Sequence, residues 1–136
     1  MSEENVEAFK RAYAAGTRYD AEAFIAEMHP DVEWHAGLLA SLAGEQSAVV
    51  RGHDGIRDLI QDFEEVFAES HMEFPDIRDV GDRVVALGVF RNRGKTSGAE
   101  IESPIAYVVE FKDGKVIYLR TYFDHRQALE AAGLSG

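Results

Sequence analysis

The stretch that most constrains this chain is Ile101 to Asp124, two β-branched and aromatic runs on either side of Asp113-Gly114. A two-residue type I′ turn needs φ > 0 at both central positions, and Asp-Gly meets that need, so the stretch reads as a β-hairpin. A loop of Asp113 and Gly114 alone sets Phe111 opposite Val116, Val109 opposite Tyr118, Tyr107 opposite Arg120 and Ile105 opposite Tyr122. Opposite residues share a face. One face then carries Ile105, Tyr107, Val109, Tyr118, Arg120, Tyr122 and Asp124, and the other Ala106, Val108, Glu110, Ile117, Leu119, Thr121 and Phe123. If Lys112 joined the loop, the pairing would slip by one and set Tyr107 opposite Leu119. Neither face is mainly polar, so both are expected to be covered. The chain's own helices would cover one. A second copy would cover the other, with Ala106, Val108, Leu119 and Phe123 in the interface.

The rest of the chain supplies those helices. Ser2 is a good N-cap, and Glu3 and Glu4 complement the positive end of the helix dipole. Val6, Phe9, Ala12 and Tyr13 recur at helical spacing, which predicts a first helix from about residue 3 to Ala15, stopped by Gly16. Asp20 caps a second helix with Ala23, Phe24 and Met28 on its apolar side, ended by Pro30. Val32 to His35 alternates as a short strand, and Ala36 to Val50 reads as a long loop or frayed turn of the kind that often serves as a lid. Ile56, Leu59, Ile60, Phe63, Val66 and Phe67 make one stripe along a third helix. Met72-Glu73-Phe74 opens an edge strand, kept from a sheet centre by Pro75. After a turn at Val80 to Arg83, Val84 to Asn92 is apolar on both parities and reads as a central strand, and Gly94 to Gly98 as a hairpin tip. His125 to Ala132 adds a last short helix. The sum is an α+β chain: three N-terminal helices packed on a strongly bent, mostly antiparallel sheet, a cone with an internal pocket, in a single domain over residues 1–136.

Composition excludes several functions. With 136 residues and 46% hydrophobic content the chain can bury a core of one domain. A net charge of -11 repels phosphate backbones and anionic lipid, so neither nucleic acid nor a membrane is an expected partner. There is no cysteine, hence no disulfide, thiolate nucleophile or thiolate metal site. The start, Met1-Ser2-Glu3-Glu4, lacks the basic region of a signal peptide, and a cytoplasmic protein is expected.

Five strings carry a family resemblance. They are His29-Pro30-Asp31-Val32-Glu33-Trp34-His35, Arg51-Gly52-His53-Asp54-Gly55-Ile56, Asp79-Val80-Gly81-Asp82-Arg83-Val84-Val85, Lys112-Asp113-Gly114-Lys115-Val116, and the closing run from Tyr122 to Leu134. With the order of elements, they resemble the SnoaL-like branch of the nuclear-transport-factor-2-like superfamily, the cystatin-like α+β cone. The resemblance covers nearly the whole chain and implies a pocket between the helices and the concave sheet face, and a homodimer through the convex face. Members include polyketide cyclases, ketosteroid isomerase, epoxide hydrolases and non-catalytic binders, so the fold does not name one activity.

Carried over residue by residue, the helix 1 tyrosine of ketosteroid isomerase matches Tyr13. Its base and second carboxyl fall at about Trp34 and Tyr107, so the isomerase chemistry lacks its base. The general acid/base aspartate of SnoaL-type cyclases matches Asp124. The Asp-Arg-Asp set of the epoxide hydrolases would find two parts in Asp124 and Arg120, with no second aspartate on a pocket strand. Asp124 is therefore the catalytic candidate, its carboxyl raised if buried in an apolar cone. An N-cap of the last helix is the plainer alternative. His35, at the end of its strand near the expected pocket mouth, is the second catalytic candidate, against a structural histidine. Tyr13, Trp34, Phe63, Tyr107, Arg120 and Tyr122 are the expected ligand-binding residues. The five histidines contain no HxH or HExxH pair, so no metal is expected, and the expected chemistry needs no cofactor. The expected function is binding of a small hydrophobic molecule, with cofactor-independent isomerase-, cyclase- or hydratase-like chemistry by Asp124. The alternative is a non-catalytic ligand-binding or dimerisation module of the same fold.

Overall fold

Helix α1, Ser2–Thr17, opens with Glu3 and Glu4 in its first turn, as its sequence predicts. The computed structural model describes residues 2–37, 39, 49–81 and 83–134. The lid expected within residues 36–50 falls mostly outside them. Asp20 caps α2, Ala21–Ile25, its side chain accepting from the Ala23 amide at 3.1 Å. Strand β1, Met28–His35, and the short β2, Val49–Arg51, lead into α3, Gly52–Val66. The apolar stripe of α3 is buried at Ile56, Leu59, Ile60 and Phe63. Strands β3, Phe67–Asp79, β4, Arg83–Gly94, β5, Glu100–Lys112, and β6, Lys115–Tyr122, follow, and α4, His125–Ala131, is the last described element.

The strands form one sheet in the order β2-β1-β6-β5-β4-β3. Among the described strands only β1 and β6 run parallel. The result is the expected α+β layer, with helices packed on a curved, unclosed, mostly antiparallel sheet. Among the described residues no helix is long and apolar enough to cross a membrane.

Two prolines behave differently. Pro75 lies on edge strand β3, where the register shifts between Glu73 and Asp76, as a residue without an N–H requires. That shift lays the β3 backbone against Gly88 of β4, where any Cβ would overlap the Glu73 carbonyl oxygen. Pro30, expected to end the second helix, instead lies inside β1. The helix has already stopped at Ile25. Pairing of β1 with β6 is irregular between Met28 and Glu33, so the missing donor interrupts no regular ladder.

The hairpin corrects a larger expectation. Asp113 and Gly114 have φ of 54° and 78°, and Lys112 faces Lys115 and Phe111 faces Val116 as the two-residue turn demands. The register then shifts between Glu110 and Phe111, leaving Ile117 as a bulge. Beyond it Val109 faces Leu119, Tyr107 faces Thr121 and Ala106 faces Tyr122. Every β6 residue past Ile117 is therefore on the face opposite to the one the simple turn assigns it. Leu119 and Thr121 join Tyr107 under the helices, while Tyr118, Arg120 and Tyr122 turn to the outer face.

The core follows this division. The inner cluster joins Phe9, Ala12, Phe24, Trp34, Ile60 and Phe63 to Val84, Ala86, Phe90, Tyr107, Val109 and Leu119. A smaller outer cluster packs Val85, Leu87, Ala106 and Val108 against Ala128 and Leu129 of α4 and its C-cap Ala132. Ala106 and Val108, expected to meet a second copy, are thus covered by the chain's own last helix. Leu119 and Phe123, expected beside them, pack with the inner cluster.

Candidate ligand-binding site

The concave face and the helices line a cavity of about 50 Å³. α1 lends Phe9, Ala12 and Tyr13, α2 lends Phe24, α3 lends Ile60 and Phe63, and the sheet lends Trp34, Met72, Tyr107, Val109, Val116 and Leu119. Tyr19, Met28, Gly16 and the buried Leu39 complete the described wall. No charged side chain is among them.

Aromatic packing fixes this wall. Phe9 meets Phe74 edge-on at 5.4 Å between centroids and Tyr107 at 6.0 Å. Trp34 stacks on Phe24 at 5.7 Å and approaches Tyr107 edge-on at 6.4 Å. Such offset and edge geometries suit the ring quadrupoles, so the rings hold one another in place. Trp34 reaches the cavity because β1 alternates: Val32, Trp34 and Ala36 are buried on its inner side, with Glu33 and His35 half-buried on the other.

The polar atoms of the wall are few. The Trp34 indole Nε1 donates to Thr121 Oγ1 at 2.9 Å. The Tyr107 hydroxyl donates to Met72 Sδ at 3.6 Å, a long contact to a weak acceptor. Burial pushes the Tyr107 phenol up, and a hydrogen bond with Thr121 opposes that shift. Burial also raises Tyr19; a hydrogen bond with Ser70 opposes that shift and the charge of Glu64 adds to it.

Of the expected site residues, Tyr13, Trp34, Phe63 and Tyr107 come together around the cavity. The other four do not reach it. Asp124 is exposed at the start of α4, where its carboxylate accepts from the Arg126 amide at 2.8 Å and the Gln127 amide at 3.4 Å. It is the cap of that helix. His35, one residue from Trp34, necessarily points to the opposite face, where it bonds Glu33 at 3.1 Å and lies 5.0 Å from the Tyr118 ring. Arg120 is exposed on that same outer face, its guanidinium 5.3 Å over the Tyr122 ring. The bulge at Ile117 is the physical reason for the displacement of Arg120 and Tyr122.

Sequence reading placed the wall residue Leu119 and its neighbour Thr121 on the opposite face and did not single out Met72. Thr121, beside Arg120 in the strand run, carried no separate signal. Met72 gave none, since methionine fills cores of every kind. Among the described residues no three histidine, aspartate or glutamate side chains gather as a metal-ligand set.

The model of the SnoaL-like domain family matches residues 6–119. No curated protein matches the sequence. Among solved structures, the chain is similar to an NTF2-like protein of unknown function from Burkholderia pseudomallei, with 25% identity, 96% of this chain and 97% of that one covered, and a TM-score of 0.79. It is similar to TerC, co-crystallised with polyporic acid, with 26% identity over 93% of this chain and 96% of that one and a TM-score of 0.77. A protein of ketosteroid isomerase-like fold from Catenulispora acidiphila, in complex with trimethylamine, shares the fold at 18% identity, 94% and 93% coverage and a TM-score of 0.73.

Proposed function

The chain belongs to the SnoaL-like domain family, and from that premise we propose that it binds a small, uncharged, largely apolar molecule inside the cone. The observation that carries this reading is the described wall, which holds aromatic and aliphatic side chains and no charge. Burying a charged ligand there would cost its hydration with no opposite charge to offset it. An apolar ligand gains roughly 25 cal/mol for each Å² it removes from water. That TerC was crystallised with an organic molecule supports a small-molecule reading of the fold. The described wall holds no carboxylate or imidazole, so the binding role is preferred to acid–base turnover by the exposed Asp124. A homodimer is part of the same proposal, on the ground of the family resemblance.

Trp34 is the one tryptophan of the sequence and belongs to the wall, so its fluorescence reports occupancy without a label. Titration with toluene should change it saturably, while benzoate, of similar shape but charged, should leave it unchanged. Equal responses to the two, or none to either, would count against an apolar, uncharged site.

A further inference from the structure

On the basis of the binding reading above, we propose that the cone opens along the seam between the last turn of α1 and β3. Gly16 is the gap through which the ligand extends, and Tyr19 is the bar across it. The ligand class narrows accordingly, to apolar compounds with a slender, unbranched chain that lies in the opening.

The wall shows where the opening is. Of its described residues only Tyr13, Gly16, Tyr19 and Met72 are half-buried, and every other one is buried. Tyr13 and Gly16 lie three apart on α1 and so share one side of that helix. Tyr19 comes just past the end of α1. Met72 belongs to β3, which α1 meets through Tyr13 and Phe74, with 5.0 Å between ring centroids. The four residues therefore border one side of the cavity.

The backbone at that seam reverses what a helix end favours. The Asp20 amide donates to the Ala15 carbonyl at 3.0 Å and the Tyr19 amide to the Gly16 carbonyl at 3.1 Å, which is a Schellman ending. Such an ending puts its left-handed residue, usually a glycine, at the place of Tyr19, and Tyr19 takes it with a φ of 58°. The glycine stands three residues earlier, inside the helix, where alanine is the better former. Space does not demand it there. Beyond its own helix and chain neighbours, a Cβ on Gly16 would meet only the Phe24 ring, at 3.5 and 3.6 Å, ordinary contact distances. Local preference is thus broken twice within four residues, both times on the cavity wall, and the cavity accounts for both. The absent side chain leaves room beside Phe24, and the tyrosine ring closes over it. The Tyr19 hydroxyl donates to the Phe67 carbonyl at the start of β3 at 3.4 Å, longer than the usual O–H···O bond, so little holds the bar shut. The gap is one side chain wide and bordered by no charge, which suits a slender apolar chain.

The test is titration of Trp34 fluorescence with toluene and with n-butylbenzene, the same ring on a longer chain. In the unaltered protein butylbenzene should bind more tightly, by about fourfold for each CH₂ that leaves water. Gly16→Leu should bind toluene as the parent does and lose that gain. Gly16→Ala should be at least as stable as the parent in thermal melts and lose part of the gain. Tyr19→Phe, which removes the bond to Phe67, should speed association and dissociation of butylbenzene alike in stopped-flow fluorescence, by about two- to fivefold for one weak hydrogen bond, and leave its affinity nearly unchanged. Butylbenzene bound no more tightly than toluene, a gain that survives Gly16→Leu, or a Gly16→Ala protein less stable than the parent would overturn the opening and leave the apolar site standing. Where Gly16→Leu loses toluene as well, an undiminished gain in Gly16→Ala overturns the opening and a diminished one upholds it. Rates unmoved by Tyr19→Phe would overturn the bar. No response to toluene in the unaltered protein would remove the site itself.

Discussion

At the residue scale, Asp124 leaves β6 with its carboxylate turned back onto the first amides of α4. Asparagine caps about as well as aspartate, whereas alanine offers no acceptor. Asp124→Asn should therefore melt with the parent protein, and Asp124→Ala should lose about 1 kcal/mol of stability in denaturant titration. Asn92 makes the opposite case. It is 3% exposed, and neither its amide nitrogen nor its carbonyl oxygen has a partner among the described residues. An unpaired buried amide costs about 1–3 kcal/mol, so Asn92→Leu, close in volume, should raise the melting temperature. A loss would mean that the amide has a partner after all. Tyr107 carries a pH signature. Its pKa in the fold lies above the ordinary value of 10.0. Above about pH 10 an unfolded phenol ionises while the buried one stays protonated, so the unfolded state gains and stability falls as pH rises toward the folded value. Melts between pH 9 and pH 11 (roughly the range in which tyrosine titrates) should show that decline in the parent protein and a weaker one in Tyr107→Phe.

At the scale of elements, the hairpin shows what could be read and what could not. The turn was legible because Asp113 and Gly114 are the residues that tolerate its φ angles. The bulge was not, because Val116 to Leu119 is apolar or aromatic at every position, and a strand without alternation gives no penalty for a slip. That single extra residue moved Arg120 and Tyr122 away from the cavity and brought Leu119 and Thr121 in. In β1 the same rule separated His35 from Trp34, although the sequence places them side by side. Tyr13, Trp34, Phe63 and Tyr107 were legible because each sits on the apolar side of its element, and in this fold the apolar side is the cavity wall. The β3 bulge yields a test of its own. Gly88→Ala would drive a methyl group into the backbone of Glu73, and overpacking of this kind costs about 1–3 kcal/mol or more. A Gly88→Ala protein as stable as the parent would show that β3 can shift away.

For the whole molecule, the layer order was legible from the alternation of helical and strand periods, and the five family strings pointed to the same cone. Arg57 of α3 holds the Glu22 carboxyl of α2 below its ordinary value, Arg78 does the same to Asp76, and His35 to Glu33. A lowered carboxyl favours the fold above the unfolded pKa of about 4, and that contribution is lost as pH falls through the folded value. The melting temperature should therefore decline below about pH 4.5, less steeply in Arg57→Gln and less steeply at high salt, since these pairs are exposed. For the proposed homodimer, light scattering at micromolar concentration should give twice the chain mass, and a monomer mass there would remove it from the proposal.

The account turns on a small apolar molecule occupying the cone, and a crystal soaked in bromobenzene tests that most directly, because bromine marks the ligand by its own anomalous scattering. The expected result is one strong bromine peak enclosed by Phe63, Trp34 and Tyr107. A cone without a peak, or bromine found only on the outer face beside Tyr118 and Tyr122, would contradict it.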